Sequence, residues 1–160
     1  MIYLTSDEHY QHGKILGYAN RDFPDIQTMK HELITRHNSV VKPEDTVYHL
    51  GDFCFTQNWQ DIYNILKRLN GNHHLIFGNH DHLEWYKYVE AGFTTVHSAL
   101  FLDDYILIHD PSVAGVFRDR KVIHGHTHQL GINLGDNSYC VCVELHDYTP
   151  VSFDRIKSEF

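Results

Sequence analysis

The chain has 160 residues, the size of one ordinary domain, and its 21 acidic against 13 basic residues give a formal net charge of -8. An apolar share of 42% with 21% charged residues excludes a disordered chain, a collagen-like repeat and a coiled coil. The acidic balance disfavours tight non-specific binding to nucleic acid or to anionic membranes, because cationic side chains supply most of that affinity.

Short β-branched or aromatic runs predict strands, and runs of helical spacing lie between them. In chain order, residues 2–6 form the first strand. Met29, Leu33, Ile34, His37, Val40 and Val41 follow as a helical stripe that stops at Pro43. Residues 46–50 make the second strand. Trp59, Ile62, Ile65, Leu66 and Leu69 make the next helix, with Asn58 as its N-cap and Gly71 as its stop. A third strand spans 74–77, and a weaker helix spans 82–91 and ends at Gly92. Strands follow at 105–108, 121–124 and 139–145, and a last short helix through Phe153, Ile156 and Phe160 is capped by Ser152. No linker, repeat or low-complexity tract divides the chain, so residues 1–160 are taken as a single domain. The alternation predicts an α/β fold with helices covering a sheet or a pair of sheets. No apolar run approaches a membrane span. The odd set Cys54, Cys140 and Cys142 does not look like a disulfide framework, and the start of the chain carries no signal-peptide core. A cytoplasmic protein is expected.

Histidine is the unusual component, at 15 residues, and its placement is informative. Asp7 and His9 follow the first strand, Gly51-Asp52 the second and Gly78-Asn79-His80-Asp81 the third. His109 follows the fourth strand, and Gly125-His126-Thr127-His128 the fifth. Sites in open α/β sheets form at the carboxyl ends of strands, so these loops are expected to converge. Asp7, His9, Asp52, Asn79, His109, His126 and His128 are too many donors for one four-coordinate ion. Their mixed oxygen and nitrogen set suits two transition-metal ions sharing a carboxylate. Two ions ~3.5–4 Å apart suit in-line attack on phosphorus. With two carboxylates and a hydroxide, such a site keeps roughly one net positive charge and attracts phosphate despite the acidic body.

The ordered motifs D-x-H (Asp7 to His9), G-D (Gly51-Asp52), G-N-H-D (Gly78 to Asp81), a post-strand His109 and G-H-x-H (Gly125 to His128) resemble those of the calcineurin-like metallophosphoesterases, with softer similarity to short bacterial and phage-encoded members. The resemblance implies two packed mixed β-sheets flanked by helices in a four-layer αββα sandwich; the chain has no insertion large enough for a cap domain. It implies that Asp7, His9, Asp52 and His128 hold one divalent ion (Mn, Fe, Zn or Ni) and that Asp52, Asn79, His109 and His126 hold a second, with Asp52 bridging. It also implies that His80 contacts the substrate phosphate or protonates the leaving oxygen, and that Asp81 orients His80. The expected reaction is attack of a metal-bridging hydroxide on a small phosphodiester, a nucleotide or cyclic nucleotide. Phosphomonoester or nuclease activity is the alternative within the family. A non-catalytic binding scaffold and a structural zinc protein are the alternatives outside it. Duplex nucleic acid is not an expected partner, because no basic stripe is evident.

His12 and Arg21, beside the Asp7 loop, are candidates for substrate contact, each weighed against an ordinary structural or surface role. His49 and His124 are expected to be buried and hydrogen-bonded. His31, His37, His73, His74, His97 and His146 are expected to be structural or surface residues. Lys14, Arg118, Arg120 and Lys121 could line the site, solvated positions being the commoner use of basic residues before a strand. Tyr10, Tyr18, Phe23, Phe53, Phe55 and Phe117 flank the motifs as a base-stacking wall or as core, core being the commoner use. Cys140 and Cys142 share a strand face, which does not by itself imply a metal.

Overall fold

The computed structural model describes residues 1–112, 120–130 and 137–160; Phe117 and Arg118 lie outside the described residues. The chain runs β1 (Ile2–Thr5), α1 (Ile15–Tyr18), α2 (Ile26–Val40), β2 (Thr46–His49), α3 (Trp59–Leu66), β3 (Asn72–Ile76), α4 (Trp85–Ala91), β4 (Thr95–His97), β5 (Leu100–Leu102), β6 (Tyr105–Ile108), β7 (Lys121–His124), β8 (Ser138–Cys140), β9 (Val151–Ser152) and α5 (Phe153–Ser158). The strands form two mixed sheets. One has the order β4-β3-β2-β1-β9, parallel except for β9. The other has the order β5-β6-β7-β8, parallel except for β5. The protein is thus α/β, with two mixed sheets flanked by helices.

Alternation along each strand explains the layering. Leu4, Leu50 and Ile76 leave one face of the first sheet and pack against Tyr105, Leu107 and Ile123 of the second, with Val141, Phe153 and Ile156 closing the cluster. Each such buried aliphatic side chain contributes roughly 1.5–3 kcal/mol. Leu75 and its neighbours face the other way, into a core of Met29, Leu33 and Ile34 from α2, Ile62, Ile65 and Leu66 from α3, and Tyr88 and Ala91 from α4. Among the described residues, no helix is long and apolar enough to cross a membrane.

Several local expectations hold. The Asn58 side chain accepts from the Gln60 N–H and that of Ser152 from the Arg155 N–H, while Gly92 ends α4 at φ 119°. The predicted strand at 139–145 is cut short. It pairs only over Ser138–Cys140, after which Cys142 bridges to Ser6, Val143 N–H donates to the Ser6 carbonyl (3.1 Å), and Val143–His146 turns as a 3-10 helix. This crossover stitches the end of β1 in the first sheet to the chain leaving the second.

Candidate metal centre

The loops after β1, β2, β3, β6 and β7 meet at the carboxyl ends of their strands. Close approach dictates the glycines. A Cβ at Gly78 would collide with the Asp52 side chain and backbone, and one at Gly125 with the Ser6 hydroxyl and the Asp7 carboxylate. Asp7, His9, Asp52, His126 and His128 adopt left-handed backbone, with φ from 47° to 71°. Asp and His tolerate this region better than most residues, yet it remains strained. The strain turns consecutive donors of each loop toward one point.

The structure brings all seven candidate ligands together. Asp7 Oδ2 accepts from Ser6 Oγ (2.5 Å), His126 N–H (2.8 Å) and Cys142 Sγ (3.2 Å), while Asp7 Oδ1 is buried with no hydrogen-bond partner among the described residues. Asp52 Oδ1 accepts from His80 N–H (2.8 Å), and its Oδ2 lies 3.4 Å from His9 Nε2 and 3.5 Å from His109 Nε2. Asp52 therefore sits between the two expected donor sets, and Asp7 also approaches both, grouped with His9 and His128 on one side and with Asp52 and His109 on the other.

The outer ring nitrogens fix how each histidine presents its inner one. His109 Nδ1 donates to the Leu50 carbonyl (2.7 Å), which leaves a lone pair on Nε2 facing Asn79 Oδ1 (3.0 Å) and Asp52 Oδ2. His128 Nδ1 donates to Glu144 Oε1 (2.8 Å), and its Nε2 faces Asp7 Oδ1 at 3.7 Å. His9 Nδ1 meets His12 Nδ1 (3.1 Å), and its buried Nε2 has no hydrogen-bond partner among the described residues. His126 Nδ1 lies 3.1 Å from His109 Nε2. Ring nitrogens and side-chain oxygens thus crowd one another at 3.0 to 3.7 Å around the seam. That is the arrangement a cation resolves, and the donor set fits divalent transition metals.

Burial raises the Asp7 carboxyl above its ordinary value. Burial lowers the His9 imidazole, and the charges of Arg21 and the neighbouring histidines lower it further. Burial would also lower His128, but the Glu144 hydrogen bond and the Asp7 charge outweigh it and raise the ring.

Three of the expected side-chain roles move or sharpen in the folded geometry. Arg21 does not reach outward to a substrate. Its guanidinium is buried and donates to the Asp7 and Glu8 carbonyls and to Glu144 Oε1, so it braces the first ligand loop from behind. Asp81 does not orient the His80 ring. Its carboxylate accepts from the backbone N–H groups of Asp52 (2.8 Å), Phe53 (3.1 Å) and Gly78 (2.8 Å) and pins two ligand loops together. Burial pushes that carboxyl up to about 7, although the three amide hydrogen bonds oppose the shift. His12 stands against the candidate ligand His9 and also lines the cavity over the site. His80 lines that cavity too, its ring centroid 5.4 Å from that of His9.

Sequence reasoning missed Glu144, which no motif marks, and, although His49 is buried and hydrogen-bonded as expected, it missed the chain of partners that His49 joins behind the site. In that chain Glu8 Oε1 contacts His49 Nδ1 (2.5 Å), and His49 Nε2 contacts His73 Nδ1 (3.0 Å). Cys140 and Cys142 do face the same way, with their sulfurs 3.2 Å apart.

Fold and site together define an α/β protein with a candidate metal centre at the seam of two sheets. The chain belongs to the family of MJ1445, an uncharacterized protein of Methanocaldococcus jannaschii, with 36% identity over 97% of this chain and 88% of that protein. It is also similar to the crystal structure of AQ665, a protein of unknown function from Aquifex aeolicus, with a TM-score of 0.81 and 26% identity over 100% of this chain and 99% of the other. No family model matches the chain.

Proposed function

We propose that the protein is a dinuclear metal-dependent phosphoesterase of the calcineurin-like kind, with the four-layer αββα sandwich of that family, hydrolysing a small phosphodiester by in-line attack of water. The observation that carries this reading is the pair of donor groups Asp7, His9 and His128 and Asp7, Asp52 and His109, with Asn79 and His126 against His109, where Asp7 Oδ1 and His9 Nε2 are buried without a hydrogen-bond partner among the described residues. Asp7, His9, Asp52 and His128 would hold one ion, and Asp52, Asn79, His109 and His126 the other. When bound, two such ions supply Lewis acidity toward phosphate oxygens and lower the pKa of water.

The chain's own residues do the rest. Glu144 and the Leu50 carbonyl hold the His128 and His109 rings in the tautomers that turn Nε2 inward. Arg21 and Asp81 hold the loops that carry Asp7 and Asp52. The His80 ring has no hydrogen-bond partner among the described residues and opens into the cavity, so it is free to give a proton to the leaving oxygen.

Asp52→Ala is expected to lose both metal and hydrolysis of bis(p-nitrophenyl) phosphate, since it stands between both donor sets. His80→Ala is expected to keep its metal and lose roughly 10²–10⁴-fold in rate. Metal analysis by mass spectrometry should find two ions per chain. Full metal-dependent hydrolysis by Asp52→Ala, or a single tightly held zinc, would overturn the assignment.

A further inference from the structure

The aromatic residues that flank the motifs divide into two groups. Tyr10 and Phe53 are buried in the core and Phe23 packs against it. Tyr18 and Phe55 instead are 74% and 42% exposed, and both line a cavity of about 670 Å³ that opens over His9, His80 and His128. His12 joins them. Its ring stacks on Phe55 (centroids 4.5 Å apart, planes at 18°) and meets Tyr18 edge-on at 6.3 Å. The contact between His12 and His9 ties this rim to the donor cluster. The ester substituent of a phosphate held by the donors, next to His80, would therefore run along an aromatic surface.

Charge narrows the ligand further. Among the described residues lining this cavity and the adjoining one of about 390 Å³, Lys14 is the sole Lys or Arg. Arg21, behind the Asp7 loop, is engaged by Glu144 and two carbonyls. A polyphosphate or a nucleic-acid strand needs several cations along its path. One phosphoryl group beside a flat, neutral substituent does not. The volume lies within the range of small-molecule sites.

The geometry points to a base-binding rim. The ester held at the metal centre carries one phosphoryl group and one nucleoside, whose base stacks on the surface formed by Tyr18, His12 and Phe55. This substrate class rests on the phosphoesterase reading, but base recognition can be measured without turnover.

Adenosine 5′-monophosphate and ribose 5-phosphate share sugar and phosphate and differ by the base. Calorimetric titration of each into the manganese-loaded protein is expected to show the nucleotide binding on the order of tenfold tighter, the effect of one stacked base. In Tyr18→Ala and Phe55→Ala the ratio should fall to about one, while Tyr18→Phe should keep it. Equal affinity of the two probes for the wild type would overturn the rim, as would variants that weaken both probes alike. The two readings fail separately. Hydrolysis of phosphodiesters without base preference keeps the esterase and removes the rim, whereas base-dependent binding with no hydrolysis of any diester does the reverse.

Discussion

At the scale of single residues, the backbone of the ligand loops is unfavourable by itself. Five of the seven candidate ligands sit at positive φ. A left-handed L-residue costs roughly 1–2 kcal/mol, and such costs collect where function demands them. His126 gives the cleanest test, because it is exposed, has φ 71°, and its backbone N–H to Asp7 survives any substitution but proline. His126→Gly should raise the melting temperature of the metal-free protein by about 2–4 °C, corresponding to ~1 kcal/mol. The same variant should bind manganese more weakly in calorimetric titration. A melting temperature that falls in the metal-free state would show that His126 bears no strain.

At the scale of elements, α2, β2 and β3 share an unusual core of His37, His49 and His73, with ring centroids 5.2 to 6.2 Å apart. Burial holds His37 down at about 4 and His73 at about 2. Between about pH 5 and 6.5 both are largely neutral in the folded protein, whereas the unfolded chain still binds protons there. A depressed folded-state value means that stability rises with pH across this window and is lost as pH falls. Each histidine contributes a slope of ~1.4 kcal/mol per pH unit. Urea unfolding between pH 4.5 and 6.5 should show the slope, and His37→Gln, which can still donate to the Asn70 carbonyl that His37 Nε2 reaches at 2.8 Å, should reduce it by about one proton. An unchanged slope would mean that His37 is already charged in the fold. The longer elements were largely legible in the sequence, since the stripe of α2 and the caps Asn58 of α3 and Ser152 of α5 encode their own geometry. The strands β4, β5 and β9 were not, because three residues or two give too few alternations to register. Within the site, the candidate ligands were legible because strand-end motifs are local. Glu144 lies in a 3-10 turn and meets His128 and Arg21 only through the tertiary fold, and so do the Asp81 contacts to Asp52 and Phe53.

At the scale of the whole molecule, the donors come from both sheets: Asp7, His9, Asp52 and Asn79 from the first, and His109, His126 and His128 from the second. Under the proposed function, ions bound there link the sheets across the seam, and any ligand of the folded state alone stabilises it by mass action. Chelation with EDTA should lower the melting temperature by several degrees, and manganese at 100 times its dissociation constant should restore about 2.7 kcal/mol. A melting temperature indifferent to both treatments would sink the two-sheet linkage. The crossover of Ser6 with Cys142 carries a further consequence, in the order of events. It joins the end of the first strand to a segment near the opposite terminus, a pairing of long sequence separation, and such contacts are slow to form. Neither sheet alone owns a full set of donors. Acquisition of metal during refolding should therefore be the last kinetic phase, arriving after each sheet has gained its secondary structure and only when the seam has closed.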